Sequence, residues 1–268
     1  MLVSNPIDPP CRIEAPKVVP ARHGLLWWRD SFALFHTTSG RWLIAALLLI
    51  LVSAAVVSGC SLVPRVGGIL STIVLPCLAI GPAVLAHRRL HGRPFGYRPL
   101  LAGFSHRFGA LLGAGLIQFA LQTVGTICLM LTVGRHVPIT VFAGLSVALT
   151  VAVTSAMWFQ PALVFFGHQD PLSATAGSMR ALALNWRALC VHIVVGTIGL
   201  AVLGVTIRLM VMVVRAVADM PSLAIPLGAI GILWFALLAL ATTAVLGVSI
   251  YIAFRDIFAL REEASIHL

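Results

Sequence analysis

The 268-residue chain contains very little acid. Its eight carboxylates are Asp8, Glu14, Asp30, Asp170, Asp219, Asp256, Glu262 and Glu263. None occurs between Asp30 and Asp170, and none lies inside a hydrophobic segment. An ionised side chain at bilayer depth costs roughly 2.5 kcal/mol or more, so long charge-free stretches are what lipid selects. The same absence argues against a proton- or sodium-coupled engine built on a buried acid. Lysine is scarcer still, with Lys17 the only one. The five cysteines stand singly, without Cys-x-x-Cys or Cys/His ligand spacing, which argues against a metal site or a disulfide framework. All but Cys11 fall in apolar segments and read as small buried hydrophobes. The first twenty residues hold five prolines and no apolar run, so no amino-terminal signal peptide is expected. Val57-Ser58-Gly59-Cys60 resembles a lipoprotein cleavage box but lies too far along the chain to be one.

What the chain does have is apolar length. It is 60% hydrophobic and 10% charged, with mean hydropathy +1.03, which selects the polytopic membrane class. Six runs are long enough to cross a hydrocarbon core of about 30 Å: 42–63, 66–86, 108–133, 137–166, 189–207 and 222–254. The expected fold is an all-α membrane bundle of six spans over 20–258, with a flexible Pro-rich tail at 1–19 and a second tail at 259–268. Pro76, Pro82, Pro161 and Pro226 lie inside spans, and Pro82 and Pro161 are the expected hinges. The formal charge of +10 is not a nucleic-acid signature, because the arginines sit at the ends of apolar runs. There they meet anionic headgroups and set topology.

Fourteen of the eighteen Lys and Arg flank the spans on one side; Arg65, Arg135, Arg208 and Arg215 belong to the loops opposite. The positive-inside rule puts both termini in the cytoplasm. Trp27, Trp28, Trp42, Tyr97, Phe108, Trp158, Trp186 and Tyr251 fall toward the same side, as an interfacial aromatic belt would. Three amphipathic segments are expected as helices in the inner interface. Arg22–Thr38 carries Leu25, Trp28, Phe32 and Phe35. Pro99–His106 carries Leu100, Leu101 and Phe104. Pro171–Asn185 carries Leu172, Met179, Leu182 and Ala183. Each precedes a hairpin of two spans, through the entries Arg41-Trp42, Arg107-Phe108 and Trp186-Arg187. Arg107 to Arg187 is 80 residues and Pro82 to Pro161 is 79, which suggests a threefold repeat of helix plus hairpin. The longer third outer loop is expected over Arg208–Pro221.

Candidate chemistry is sparse. No pattern for nucleophilic catalysis, zinc or nucleotide binding exists, so no catalytic, cofactor-binding or metal residue is assigned. Gln118, Gln122, Gln160 and His192 are the candidate intramembrane polar cluster, either lining a solute path or making interhelical hydrogen bonds, which average about 0.6 kcal/mol. The second reading is favoured. Arg180, Asn185, Trp186 and Arg187, with Arg107 and Arg41, are candidates for contact with anionic lipid headgroups or a partner protein. The topology-anchor reading competes, with Asn185 breaking the turn between helices. Gly109-xxx-Gly113 supports close packing or a homo-oligomer.

Residues 20–35, the run Trp158-Phe-Gln-Pro-Ala-Leu163, Met179-Arg180 with Asn185-Trp186-Arg187, and the run Tyr251 to Phe258 resemble a proteobacterial inner-membrane family known by a locus-tag name. The chain is more distantly similar to the YciC family. The resemblance implies a six-span helical inner-membrane protein and carries over no substrate or catalytic residue. The expected function is therefore a non-enzymatic scaffold or accessory component of the cell envelope. A permease for a small neutral or apolar solute is the alternative, and a lipid-modifying enzyme a third.

Overall fold

The computed structural model describes residues 12–261, apart from 135, 218 and 259. The fold is all-helical, with six helices long and apolar enough to cross a membrane. Helix α1 (His23–Thr37) turns directly into α2 (Ser39–Ser61), which forms a tight hairpin with α3 (Gly67–Leu90). A 3-10 turn (Arg98–Leu101) and the short α4 (Ala102–Ser105) lead into α5 (Phe108–Thr132). The fourth span is broken into α6 (Ile139–Ala156) and α7 (Gln160–Phe166). Helix α8 (Pro171–Ala216) bends at Asn185, whose φ of −118° and ψ of 20° are not helical, and α9 (Pro221–Phe258) closes the bundle. The two ends of the described stretch meet: β1 (Arg12–Ile13) pairs antiparallel with β2 (Leu260–Arg261).

Apart from Gly67 at the α2–α3 turn, burial is concentrated at the end of the bundle where β1 and β2 meet. Helix α3 buries Pro76 through His87 almost continuously, α7 nearly all of its residues, and α9 residues from Ala244 onward. The opposite halves are uncovered. Helix α6 has no buried residue, α5 none beyond Gly115 and α8 none beyond His192. In α9, none of the described residues from 222 to 243 is buried. Lipid tails are as apolar as leucine, so close helix packing needs small residues rather than hydrophobic drive. Glycine supplies them here. A Cβ on Gly24 would fall on the Ala188 carbonyl, one on Gly103 on that of Cys77, and one on Gly115 on that of Ile73.

Several expectations need correction. The residues expected as a loop from Arg208 are helical as far as Ala216, and the next helix begins at Pro221. No Gly or Pro interrupts 208–216, and an arginine on a helix surface does not end the helix. The hinge at Pro161 is a break just before it, at 157–159, with Pro161 in the first turn of α7, where its missing N–H costs nothing. Helix α3 runs on through Pro76 and Pro82, as a helix kinked at a proline also does. Residues 13–19, expected to be loose tail, lie along α8 and α9; Cys11 and most of that tail fall outside the described residues. The aromatic belt is partly core, since Trp27, Trp42 and Tyr251 are at most 1% exposed, whereas Trp186 faces outward. Cys77 is buried, but Cys128 and Cys190 are exposed, because they lie on uncovered helix faces.

The amphipathic segments are helical, and the stripe that α1 and the first part of α8 pack against the bundle is a different one from the apolar stripe read for the interface. Helix α1 buries Gly24, Trp27, Ser31 and Phe35, leaving Leu25 and Phe32 exposed. The first part of α8 buries Ala174, Thr175, Ser178, Ala181 and Asn185, leaving Leu172 and Met179 exposed. In the first part of α8 small and polar residues point inward and large apolar ones outward, whereas α1 also turns Trp27 and Phe35 inward.

Candidate functional site

The densest polar arrangement lies where α1, the bend of α8 and the end of α9 meet. The chain before α1 runs extended into this junction and is fastened twice. Lys17 N–H donates to the Ile257 carbonyl over 2.9 Å. Asn185 then clamps the strap with both ends of its amide: Oδ1 accepts from Val19 N–H at 2.8 Å, and Nδ2 donates to the Lys17 carbonyl at 3.0 Å. Nδ2 also reaches the Ala181 carbonyl at 3.1 Å, one turn back. The bend of α8 is thus where the amide can serve both its own helix and the strap.

Asp256, in the last turn of α9, is a third fastening. Its Oδ2 accepts from Trp27 Nε1 at 3.0 Å and lies 2.7 Å from His23 Nδ1. Lys17 Nζ stands 3.6 Å from Oδ1. The carboxylate has no proton to give, so Nδ1 is the donor in the His23 bond. A cation, an imidazole and an indole therefore converge on one acid, tying strap, α1 and α9 together.

Deeper along α1, His192 sits in an aromatic cage. Its ring stacks on Trp28 with centroids 4.9 Å apart and is flanked by Trp27 and Trp158 at 5.7 and 5.5 Å. Trp28 Nε1 donates to the His192 carbonyl at 2.9 Å. His192 Nε2 lies 3.4 Å from Ser249 Oγ on α9, while Nδ1 has no hydrogen-bond partner of good geometry, with Gly24 backbone alongside.

The break in the fourth span leaves backbone groups that lipid cannot satisfy. Ser178 on α8 supplies both partners: its hydroxyl donates to the Ala156 carbonyl at 2.6 Å and accepts from Phe159 N–H at 3.2 Å. Irregular backbone at membrane depth survives where protein groups satisfy it in this way. Gln160 Nε2 donates to Thr175 Oγ1 at 2.6 Å, and its Oε1 is buried without a partner.

The four residues expected as one polar cluster are held in separate contacts. Gln122 Nε2 donates across to Thr150 on α6 at 3.0 Å. Gln160 bonds α8, and His192 bonds α9. Gln118 is half-buried and makes no side-chain hydrogen bond among the described residues. Three of the four thus make interhelical bonds. Of the cationic candidates, Arg41, Arg180 and Arg187 are exposed, with Arg187 over the Trp186 ring at 5.4 Å. Arg107 differs. It caps α5 with a positive φ of 58°, and its Nη2 donates to the Gln169 carbonyl at 2.8 Å. Burial, then the nearby Arg107 guanidinium, push the His168 pKa down. Asp170 caps α8 by accepting from Leu172 and Ser173 N–H, both at 3.0 Å. The Ser173 hydroxyl and backbone hold the Asp170 carboxyl below its usual range.

Sequence reasoning did not find Lys17, His23, Trp27, Asp256, Ser178 or Ser249. The signal for Asp256 was its rarity, an acid directly after a long charge-free run. None of these groups is arranged as nucleophile, base and orienter. Among the described residues, no three His, Cys, Asp or Glu side chains come together as a metal ion requires. What the geometry does is fasten helices.

The strap makes a prediction. Replacing Asn185 with Asp keeps the acceptor for Val19 but removes the donor to the Lys17 carbonyl; replacing it with Leu removes both. Leaving a buried donor unsatisfied costs about 1–3 kcal/mol, so Asn185→Leu should lower unfolding stability in detergent by about that amount, and Asn185→Asp by at least as much, because its carboxylate would be buried against the Lys17 and Ala181 carbonyl oxygens. Thermal unfolding curves of the two variants check the order. No family model, curated protein or solved structure matches the chain.

Proposed function

We propose that this protein is a non-enzymatic, lipid-contacting scaffold or accessory component of a bacterial inner membrane. The observation that carries the reading is the uncovered set of apolar helix faces in the far halves of α5, α6, α8 and α9. Such faces are surfaces for lipid and for other membrane helices. The face that holds the termini is cytoplasmic in this proposal, supported by the fourteen Lys and Arg in its segments. Helix α1, the α4 region and α8 before Asn185 lie in the inner interface. Support comes from Leu25, Phe32, Leu172 and Met179, which are exposed outside the bundle on these helices. A threefold repeat of helix plus hairpin belongs to the same proposal, as does kinship with the proteobacterial inner-membrane family and, more distantly, with YciC. A permease has less support, because Gln122, Gln160 and His192 are engaged in separate helix contacts.

The test is photocrosslinking in living bacteria, with a photoreactive residue at Val147 on α6 or Ile198 on α8, both exposed, and at buried Phe254 as the control. The expected result is a discrete protein crosslink from Val147 or Ile198 and none from Phe254. A protein always found alone overturns the scaffold reading.

A further inference from the structure

Two apolar cavities lie end to end between the halves of α8 and α9 that leave the core. The first, of about 460 Å³, extends from Trp28 and Gly196 to Thr206 and Trp234. The second, of about 420 Å³, extends from Thr206 and Trp234 to Arg215. Both fall within the roughly 300–1,000 Å³ of small-molecule pockets. From Thr206 to Arg215 α8 rises about 14 Å. That is close to half of a hydrocarbon core of about 30 Å, the depth of one leaflet.

The second cavity has open walls and a charged mouth. Gly228, on its α9 side, has nothing within 4 Å of the place a Cβ would take. Arg215 stands at its rim in the last turn of α8. Arg208, seven residues earlier, shares that stripe of the helix. Neither arginine is ion-paired among the described residues. An apolar slot one leaflet deep, with the unpaired Arg215 guanidinium at its mouth, is complementary to one kind of membrane molecule. That molecule has acyl chains to fill the slot and a net negative headgroup to meet the arginine.

We propose that the α8–α9 groove binds an anionic glycerophospholipid, with its acyl chains in the second cavity and its phosphate on Arg215. The inference rests on the membrane-embedded part of the function proposed above, and the two fail separately. Missing protein crosslinks would remove the scaffold and leave lipid retention intact, whereas missing lipid preference would leave crosslinks intact.

The experiment is native mass spectrometry of the full chain, purified in detergent and offered phosphatidylglycerol or zwitterionic phosphatidylcholine at equal concentration. The wild type is expected to retain phosphatidylglycerol preferentially. Arg215→Gln should weaken that preference about fivefold, the equivalent of about 1 kcal/mol for one arginine near a charged surface. Gly228→Leu puts a side chain into the slot from a position where its Cβ meets nothing within 4 Å, and should reduce retention of both lipids, while Gly40→Leu, whose Cβ is equally free but which does not line the groove, should not. Equal retention of the two lipids by the wild type, or unchanged retention in Arg215→Gln and Gly228→Leu, overturns the proposal.

Discussion

Replacing Asp256 with alanine should cost about 3 kcal/mol of stability, because a buried indole donor and two further groups lose their shared acceptor. Trp27 is 1% exposed, and among the described residues its Nε1 donates to Asp256 alone. The His23 bond at 2.7 Å goes with it, and the Lys17 contact at 3.6 Å is lost too. The three losses are unequal. Lys17 is half exposed, and exposed ion pairs are worth about 0–1 kcal/mol, so Lys17→Gln should be nearly neutral. Asp256→Asn keeps one acceptor for Trp27 while removing the charge, and should fall between wild type and alanine. Denaturant unfolding in micelles, read by tryptophan fluorescence, gives the order. If Asp256→Ala and Lys17→Gln are equally mild, the carboxylate is a surface charge and does not fasten these elements.

Enlarging Gly24 should be at least as damaging, through sterics rather than charge. A Cβ there would fall on the Ala188 carbonyl oxygen and stand 2.8 Å from His192 N and 3.0 Å from Val191 Cβ. Two of these are backbone atoms of α8 and cannot rotate away. Moving α8 would disturb the Asn185 clamp and the Trp28–His192 stack together. Overpacking of this kind costs about 1–3 kcal/mol for an inserted methylene and more for larger groups, so Gly24→Val should fail to give a monodisperse protein or melt well below wild type. Gly40→Val is the control, because nothing lies within 4 Å of it. It should change stability by no more than about 1 kcal/mol, the range of helix propensity. Equal effects at the two positions would mean that α1 is not seated on α8 as described.

The six apolar runs were legible because lipid imposes one rule on every residue of a span, and that rule can be read locally. The core was not. Helical spacing in α1 singled out Leu25, Trp28, Phe32 and Phe35 as an interfacial stripe and gave no sign of the stripe packed on the bundle, which is Gly24, Trp27, Ser31 and Phe35. In water the largest apolar residues mark the inside; beside lipid they do not, because the outside is apolar as well. Asn185 as the break before the fifth span was readable from its polarity between two helical segments. Its clamp on Lys17 and Val19 was not, because those partners are more than 160 residues away. The Gln residues were found as polar groups in apolar helices, but their pairings with Thr150 and Thr175 depend on which helices are neighbours. The end of α8 was misread because arginine was taken as a boundary marker, although its long stem lets it ride on a helix surface.

The central claim is that the bundle is packed at the end holding its termini and open to the membrane at the other. A nitroxide accessibility scan in lipid nanodiscs tests it most directly. In a cysteine-free background, labels at Val151, Val202 and Ile232 sit on exposed faces, while labels at Leu163 and Val248 sit in the buried core. The account predicts high collision with dissolved oxygen at the first three positions and low collision at the last two. Equal shielding at all five would contradict it, because the far halves of the spans would then be as tightly packed as the core.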